Sequence, residues 1–266
     1  MSFSSDLLAG AVMRYISPLK SLRQVPILGN LLSRIGERIV PRDTRTWMQI
    51  ENGPAAGIWM RLNPRTGLDT LRGGGEPEVQ DALRRHLRPG MTFYDLGANV
   101  GFFSLLAARM VGERGYVVAF EADPEIAARL REHVDRNAFH CAMIVEKAVW
   151  SEAARVFFER VDAASSPDRG LGHIAAAMAP NTIEVDTVTL DDFVRTAPPP
   201  EFIKCDVEGA EVEVFRGARK LLAEKRPVII CEIHSETNRR ALLSDLKRFD
   251  YLCEESGTRQ LLALPR

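Results

Sequence analysis

The chain has 266 residues, of which 45% are hydrophobic and 27% are charged, and its formal net charge at pH 7 is −1. This is an ordinary composition for a globular protein, and the balanced charge argues against nucleic acid as a partner. The four cysteines are scattered without C-x-x-C spacing, so neither a zinc site nor a disulfide framework is expected. No run of 18 apolar residues occurs, which predicts a cytoplasmic protein with no stable membrane insertion.

Residues 1–45 differ in pattern from the rest of the chain. Their hydrophobic residues recur at helical spacing, three prolines divide them, and basic residues outnumber acidic ones. We therefore predict a helical N-terminal appendage, residues 1–45, which packs on the following domain or forms a homodimer. A peripheral contact with a membrane surface is the alternative that the basic residues would favour.

Residues 46–266 alternate between strand and helix patterns. Strands are predicted at 47–51, 57–62, 141–145, 155–160, 182–189, 202–207, 228–233, 251–255 and 260–263, and helices at 76–87, 124–137, 212–225 and 235–249. This order predicts an α/β fold with a doubly wound, mostly parallel sheet. The segment 162–180 is long and rich in Ala, Ser, Gly and Pro, and we predict that it covers a binding pocket.

A glycine-rich turn is the most informative motif of this domain. It reads Asp95-x-Gly97-x-Asn99-x-Gly101, it follows a short apolar strand, and it opens a helical pattern. A second apolar strand then ends at Glu121. Such a βαβ unit binds its ligand at the carboxyl ends of the strands, where glycine lets the backbone approach closely. Glu121 stands 20 residues after Gly101, where an acid hydrogen-bonds a ribose hydroxyl, so a nucleoside-containing cofactor is predicted.

The same turn favours S-adenosylmethionine over a dinucleotide. A dinucleotide site reads G-x-G-x-x-G, whereas here Asn99 replaces a glycine and Asp95 would repel a phosphate. S-adenosylmethionine has a ribose for Glu121, an ammonium and a sulfonium for Asp95, and no phosphate. An NAD(P)-dependent oxidoreductase and a non-catalytic cofactor-binding module are the alternatives.

A second group of acids follows the fourth and fifth parallel strands. Asp206 and Glu208 close one strand, and Glu232 and His234 close the other. Because parallel strand ends share one crevice, these four residues are expected near the reactive end of the cofactor. We favour His234 or Glu208 as the base that deprotonates an acceptor hydroxyl without a metal. Alternatively, a divalent ion is held by Asp206, Glu232 and His234.

Five runs of residues match one protein family in sequence and spacing: YDLGANVGFFS, AFEADP, TLDDF, IKCDVEGAE and ICEIH. With these runs, residues 70–234 resemble the FkbM family of S-adenosylmethionine-dependent methyltransferases. The resemblance implies a class I methyltransferase domain, Rossmann-like with seven strands, over residues 46–266. It also implies O-methylation of a hydroxyl on a small molecule, a sugar, or a glycan or lipid precursor.

The predicted site residues fall into two sets. The cofactor-binding set is Asp95, Gly97, Asn99, Gly101, Glu121, Ala122 and Asp206, and the catalytic set is His234, Glu208, Asp206 and Glu232. The chain departs from the family pattern at Ala122, where a proline is usual, and at Cys205, where an aliphatic residue is usual. Neither change removes a polar group from the site.

Overall fold

The computed structural model describes residues 44–64, 67–160 and 172–266. The strands of this part are β1 (Thr46–Gln49), β2 (Trp59–Leu62), β3 (Thr92–Leu96), β4 (Tyr116–Phe120), β5 (Ala142–Val145), β6 (Ala148–Val149), β7 (Arg155–Arg160), β8 (Gly172–Ala175), β9 (Thr182–Val188), β10 (Phe202–Cys205), β11 (Val228–Glu232), β12 (Tyr251–Ser256) and β13 (Gln260–Pro265). The helices are α1 (Leu68–Leu71), α2 (Pro77–His86), α3 (Phe102–Val111), α4 (Pro124–Arg136), α5 (Leu190–Phe193), α6 (Glu211–Arg216), α7 (Arg219–Glu224) and α8 (Glu236–Arg248). The described residues divide into two compact units, one up to Gly75 and one from Glu76 onward.

The first unit contains a β-hairpin and a one-turn helix. Strands β1 and β2 pair antiparallel, with Thr46 opposite Leu62, which confirms the two strands predicted for this region. Ile50, Ile58 and Met60 are buried within it. The predicted helices of residues 1–45 fall almost entirely outside the described residues. The appendage, its boundary at residue 45 and the homodimer therefore stay predictions.

The second unit is built on a seven-stranded sheet with the order β12-β13-β11-β10-β3-β4-β5. The five strands from β11 to β5 are parallel to one another. Strand β13 is antiparallel to both β11 and β12. Strands β3 and β10 are buried along their whole length, which accounts for their apolar runs. The predicted doubly wound, mostly parallel sheet is confirmed.

Three helices of this unit, α4, α5 and α8, begin at a residue whose side chain caps the helix. Asp123 accepts a hydrogen bond from the Glu125 N–H at the start of α4, with Pro124 in the first turn. The helix predicted at 212–225 is instead two helices, α6 and α7. Gly217 lies between them against the backbone of Trp150, where a Cβ would stand 2.3 Å from the carbonyl oxygen.

A second sheet of four strands has the order β6-β9-β7-β8. Strands β7 and β9, which the sequence predicted, pair antiparallel, whereas β6 and β8 were not predicted. Residues 172–175 of the proposed pocket-covering segment form β8, and residues 162–171 lie outside the described part. None of the helices within the described residues is long and apolar enough to span a membrane.

Candidate active site

The carboxyl ends of β3 and β10 meet where the strand order of the main sheet reverses. From β3 the chain proceeds outward through β4 and β5, and it returns on the other side of β3 as β10. Open α/β sheets bind ligands in the crevice at such a point. There the N–H of Asp206 donates to the carbonyl oxygen of Leu96 at 3.0 Å. The glycine-rich turn and Asp206 are therefore direct neighbours.

Two glycines of the turn have positive φ angles and no space for a side chain. Gly97 has a φ of +76°, and a Cβ there would lie 1.9 Å from the carbonyl oxygen of Asp206. Gly101 has a φ of +94°, and its Cβ would lie 2.1 Å from Leu130 Cδ1. Asn99 also has a positive φ, which asparagine tolerates better than most residues. Contacts within the protein thus already require both glycines, and their approach to a ligand stays a prediction.

A cleft with about 640 Å³ of empty space opens beside the turn. Its polar lining comes from three loops and includes Gly97, Asn99, Glu121, Ala122, Asp206 and Glu208. Its apolar lining comes from β4 and the second sheet and includes Phe120, Val149, Phe158 and Ile174. The cleft thus combines a few polar groups with an apolar wall, as small-molecule sites typically do.

Glu121 is buried at the end of β4 but retains hydrogen-bonding capacity. Its Oε2 accepts from the Asn99 N–H at 2.8 Å, and its Oε1 accepts from the Asp123 N–H at 2.9 Å. Burial raises the pKa of Glu121 to about 7, although these two backbone hydrogen bonds act in the opposite direction. Each carboxylate oxygen has two lone pairs. Each therefore has one left for a hydroxyl donor, which suits a ribose diol.

Asp95 lies beneath the turn and is not part of the cleft lining. Ser104 Oγ donates to Asp95 Oδ2 at 2.6 Å, and Lys204 Nζ lies 3.5 Å from Asp95 Oδ1. The same ammonium lies 3.5 Å from Asp206 Oδ2. Burial alone would lower the pKa of Lys204, but the charges of Asp95 and Asp206 raise it above its ordinary value. Lys204 thus stays charged and holds two acids of neighbouring strands together.

His234 has a carboxylate beside each ring nitrogen. Its Nδ1–H donates to Glu211 Oε1 at 2.6 Å, and its Nε2 lies 3.2 Å from Glu208 Oε2. Glu211 is fully buried and also accepts from Asn238 Nδ2 at 2.6 Å. The hydrogen bond to Glu211 raises the pKa of His234 despite its partial burial. The charged ring is therefore more stable than that of a free histidine, whereas a role as base requires the neutral ring.

Asp206, Glu232 and His234 come together at the ends of β10 and β11. Each offers one ligand atom within 4.8 Å of the others. Asp206 Oδ1 is buried without a hydrogen-bond partner. Both oxygens of Glu232 already have protein partners, Arg259 at 2.8 Å and Gln260 Nε2 at 3.1 Å. The cluster has the donor types for a divalent ion, but protein cations already offset part of its negative charge.

The structure brings most of the predicted residues together. It adds three residues that were not predicted for the site: Lys204, Glu211 and Gln260. Lys204 interrupts an apolar strand two residues before Asp206, and that spacing places both side chains on one face. A lysine inside an apolar strand is therefore the signal by which the sequence could have predicted Lys204. Glu211 cannot be distinguished by sequence from an acid that complements a helix dipole. Gln260 reaches the site only because β13 inserts beside β11.

The sheet and the cleft define a class of protein. We number the seven strands of the main sheet 1 to 7 in chain order, from β3 to β13. Read across the sheet from β5 to β12, their order is then 3-2-1-4-5-7-6, and the seventh strand is antiparallel to the others. The glycine-rich turn follows the first of these strands, and the buried acid Glu121 follows the second. This is the architecture of the class I S-adenosylmethionine-dependent methyltransferases.

The chain belongs to the FkbM methyltransferase family, because the model of the Methyltransferase FkbM domain matches residues 95–257. The predicted family is thus confirmed. The hexuronic acid methyltransferase AglP of Haloferax volcanii is 29% identical over 179 residues, which cover 65% of this chain and 70% of that protein. The arsenite methyltransferase of Halobacterium salinarum is 30% identical over 147 residues, which cover 53% of this chain but only 36% of that protein. The solved structure of a methyltransferase FkbM from Methylobacillus flagellatus KT is 17% identical, with a TM-score of 0.48, covering 74% of this chain and 60% of that one.

Proposed function

We propose that this protein transfers a methyl group from S-adenosylmethionine to a hydroxyl oxygen of an acceptor molecule. One observation carries the proposal. A single cleft is lined both by Asn99 and Glu121 of the predicted cofactor-binding set and by Asp206 and Glu208 of the predicted catalytic set. Membership of the FkbM methyltransferase family supports it.

The residues of the cleft fit a cationic nucleoside better than a dinucleotide. Three carboxylates, those of Glu121, Asp206 and Glu208, line it, so a pyrophosphate would be repelled. Glu121 has free lone pairs for ribose hydroxyls, and the apolar wall of Val149 and Phe158 suits a purine ring. When bound, S-adenosylmethionine would supply its sulfonium methyl group to the acceptor oxygen, and the C–S bond would break with its electron pair passing to the sulfur of the departing S-adenosylhomocysteine.

We assign the removal of the acceptor's hydroxyl proton to Glu208, with His234 as its partner. Glu208 lines the cleft, and its φ of +49° is a strained conformation of the kind that clusters at active sites. Burial raises the pKa of Glu208, although His234 acts in the opposite direction. A carboxylate with a raised pKa accepts a proton more readily near neutral pH. Asp206 and Glu232 then orient the acceptor and the His234 ring.

A sugar or glycan hydroxyl is the acceptor class that we favour. The relative from Haloferax volcanii is named for a hexuronic acid, and it is aligned over 70% of its length. Asp206 and Glu208 give the cleft two carboxylates that accept hydrogen bonds from neighbouring hydroxyls. The other relative is named for arsenite, but no cysteine occurs among the described residues that line the cleft.

Metal-assisted deprotonation is the competing version of this mechanism. The unpartnered Asp206 Oδ1, 3.8 Å from His234 Nε2, favours it. The binding of Arg259 and Gln260 to Glu232 opposes it, as does the raised pKa of His234, because a metal ligand requires the neutral ring. We therefore retain the metal-free version, in which Asp206, Glu232 and His234 hold no ion.

Methyl transfer from labelled S-adenosylmethionine to a panel of uronic acids, neutral sugars and amino sugars tests the proposal. We expect a methyl ether, which resists mild alkali, and Glu208→Gln should lower turnover by about 100-fold or more without changing cofactor affinity. An alkali-labile methyl ester or an N-methyl product would contradict transfer to a hydroxyl.

A further inference from the structure

Glu76 is an acidic residue of the second unit that the mechanism above does not use. It directly precedes α2, and its φ of 45° and ψ of 66° place it in the left-handed region, which is strained for any residue except glycine. Although it occupies the N-cap position, its side chain makes no capping hydrogen bond. The helix therefore explains neither the strained backbone nor the direction of the carboxyl group.

The carboxyl group of Glu76 instead joins the acids at the ends of β10 and β11. Gln260 Nε2 lies 3.5 Å from Glu76 Oε2 and 3.1 Å from Glu232 Oε2, so one amide group serves both carboxylates. Helix α2 packs against β11 and β13, which brings its first residues to this edge of the sheet. Glu76 is thus linked through Gln260 to Glu232, a residue of the predicted catalytic set.

The electrostatic surroundings of Glu76 are those of the same cluster. Burial raises its pKa to about 7, against the opposing charge of Lys204, and the charges of Asp206, Glu232 and Asp95 raise it further. Burial and like charges oppose the ionisation of Glu76, and its left-handed backbone is strained in either protonation state. Such strained and electrostatically perturbed residues cluster at functional sites.

We propose that Glu76 is a further substrate-contacting residue, which hydrogen-bonds the methyl acceptor beside Asp206 and Glu232. The inference rests on the proposed function, because it requires an acceptor with hydroxyl groups at the ends of β10 and β11. An acceptor with two neighbouring hydroxyls would donate one to Glu76 and one to Glu232, the two carboxylates that Gln260 connects. Sugars carry such pairs of hydroxyls, which makes Glu76 a specificity residue for that class.

The test compares Glu76→Gly, Glu76→Gln and the matched control Glu78→Gln, which changes an acid of the first turn of the same helix. Acceptor KM and kcat are measured with the best sugar of the panel, the affinity for S-adenosylhomocysteine by calorimetry, and folding by thermal unfolding. Glycine suits the positive φ, so Glu76→Gly should fold at least as stably as the wild type.

We expect Glu76→Gly to raise the acceptor KM by about tenfold or more, with kcat and cofactor affinity changed by no more than about threefold. Glu76→Gln, which keeps a hydrogen-bonding group, should show a smaller rise, and Glu78→Gln should behave as wild type. An unchanged KM in Glu76→Gly would overturn the inference, as would a loss confined to kcat. If the wild type binds S-adenosylmethionine but methylates no sugar, the proposed sugar acceptor fails and this inference fails with it, whereas an unchanged KM in an active enzyme refutes only the role of Glu76.

Discussion

Gly97→Ala should strongly destabilise the second unit, because the added methyl group has no space. Its Cβ would lie 1.9 Å from the carbonyl oxygen of Asp206, whereas such contacts are essentially never shorter than 3.0 Å. The two loops must therefore separate by about 1 Å, which stretches the hydrogen bond from Asp206 to Leu96. The positive φ costs alanine about 1–2 kcal/mol, and overpacking with loss of the hydrogen bond adds about 2–3 kcal/mol. We expect a total of about 3–5 kcal/mol, out of a typical stability of about 5–15 kcal/mol.

Gly90→Ala is the matched control for this prediction. Gly90 has a φ of +86°, but a Cβ there would meet no atom within 4 Å. Gly90→Ala should therefore lower the free energy of unfolding only by the conformational cost of the positive φ, about 1–2 kcal/mol. Urea unfolding, followed by far-UV circular dichroism, gives the free energy of unfolding of both variants when their m-values are equal. Equal losses in the two variants would refute the reasoning that the turn is constrained by the backbone of Asp206.

Three further predictions concern the site. Glu121→Ala should weaken S-adenosylhomocysteine binding by about 1–3 kcal/mol in calorimetry, with exposed Glu113→Ala as the unaffected control; equal affinities would remove Glu121 from the cofactor site. The raised pKa of His234 means that its pairing with Glu211 stabilises the fold fully below pH 6.5 and fades as pH rises through the raised value. The difference in unfolding free energy between wild type and His234→Gln should therefore shrink from pH 6 to pH 9, and a constant difference would contradict the pairing. Turnover should be insensitive to EDTA. If EDTA abolishes turnover and Mg²⁺ or Mn²⁺ restores it, a divalent ion is required, and its ligands are Asp206, Glu232 and His234.

The fold could be predicted where local pattern and tertiary environment agree. The strands that became β3, β4, β10 and β11 are buried on both faces, so their sequences are apolar runs that end in polar residues. The acids at those ends come together because parallel strands share one carboxyl edge. That rule places Asp206, Glu232 and His234 within reach of one another without any knowledge of side-chain conformation.

The rest depends on contacts that sequence patterns do not record. The break between α6 and α7 arises because Gly217 meets the backbone of Trp150, which is distant in sequence. Strand β6 has only two residues, too few for an alternating pattern. Glu76 reads as a surface residue at a helix start, and only the position of Gln260 shows that its carboxyl group faces inward.

The central claim is that the cleft beside the glycine-rich turn binds S-adenosylmethionine, and calorimetric titration of the wild-type protein tests it most directly. S-adenosylmethionine, S-adenosylhomocysteine and NAD are titrated separately, and the same series is repeated on Glu121→Ala. We expect saturable binding of the first two ligands at one shared site, weaker binding of both to Glu121→Ala, and no heat from NAD. Saturable binding of NAD with none of S-adenosylmethionine would contradict it.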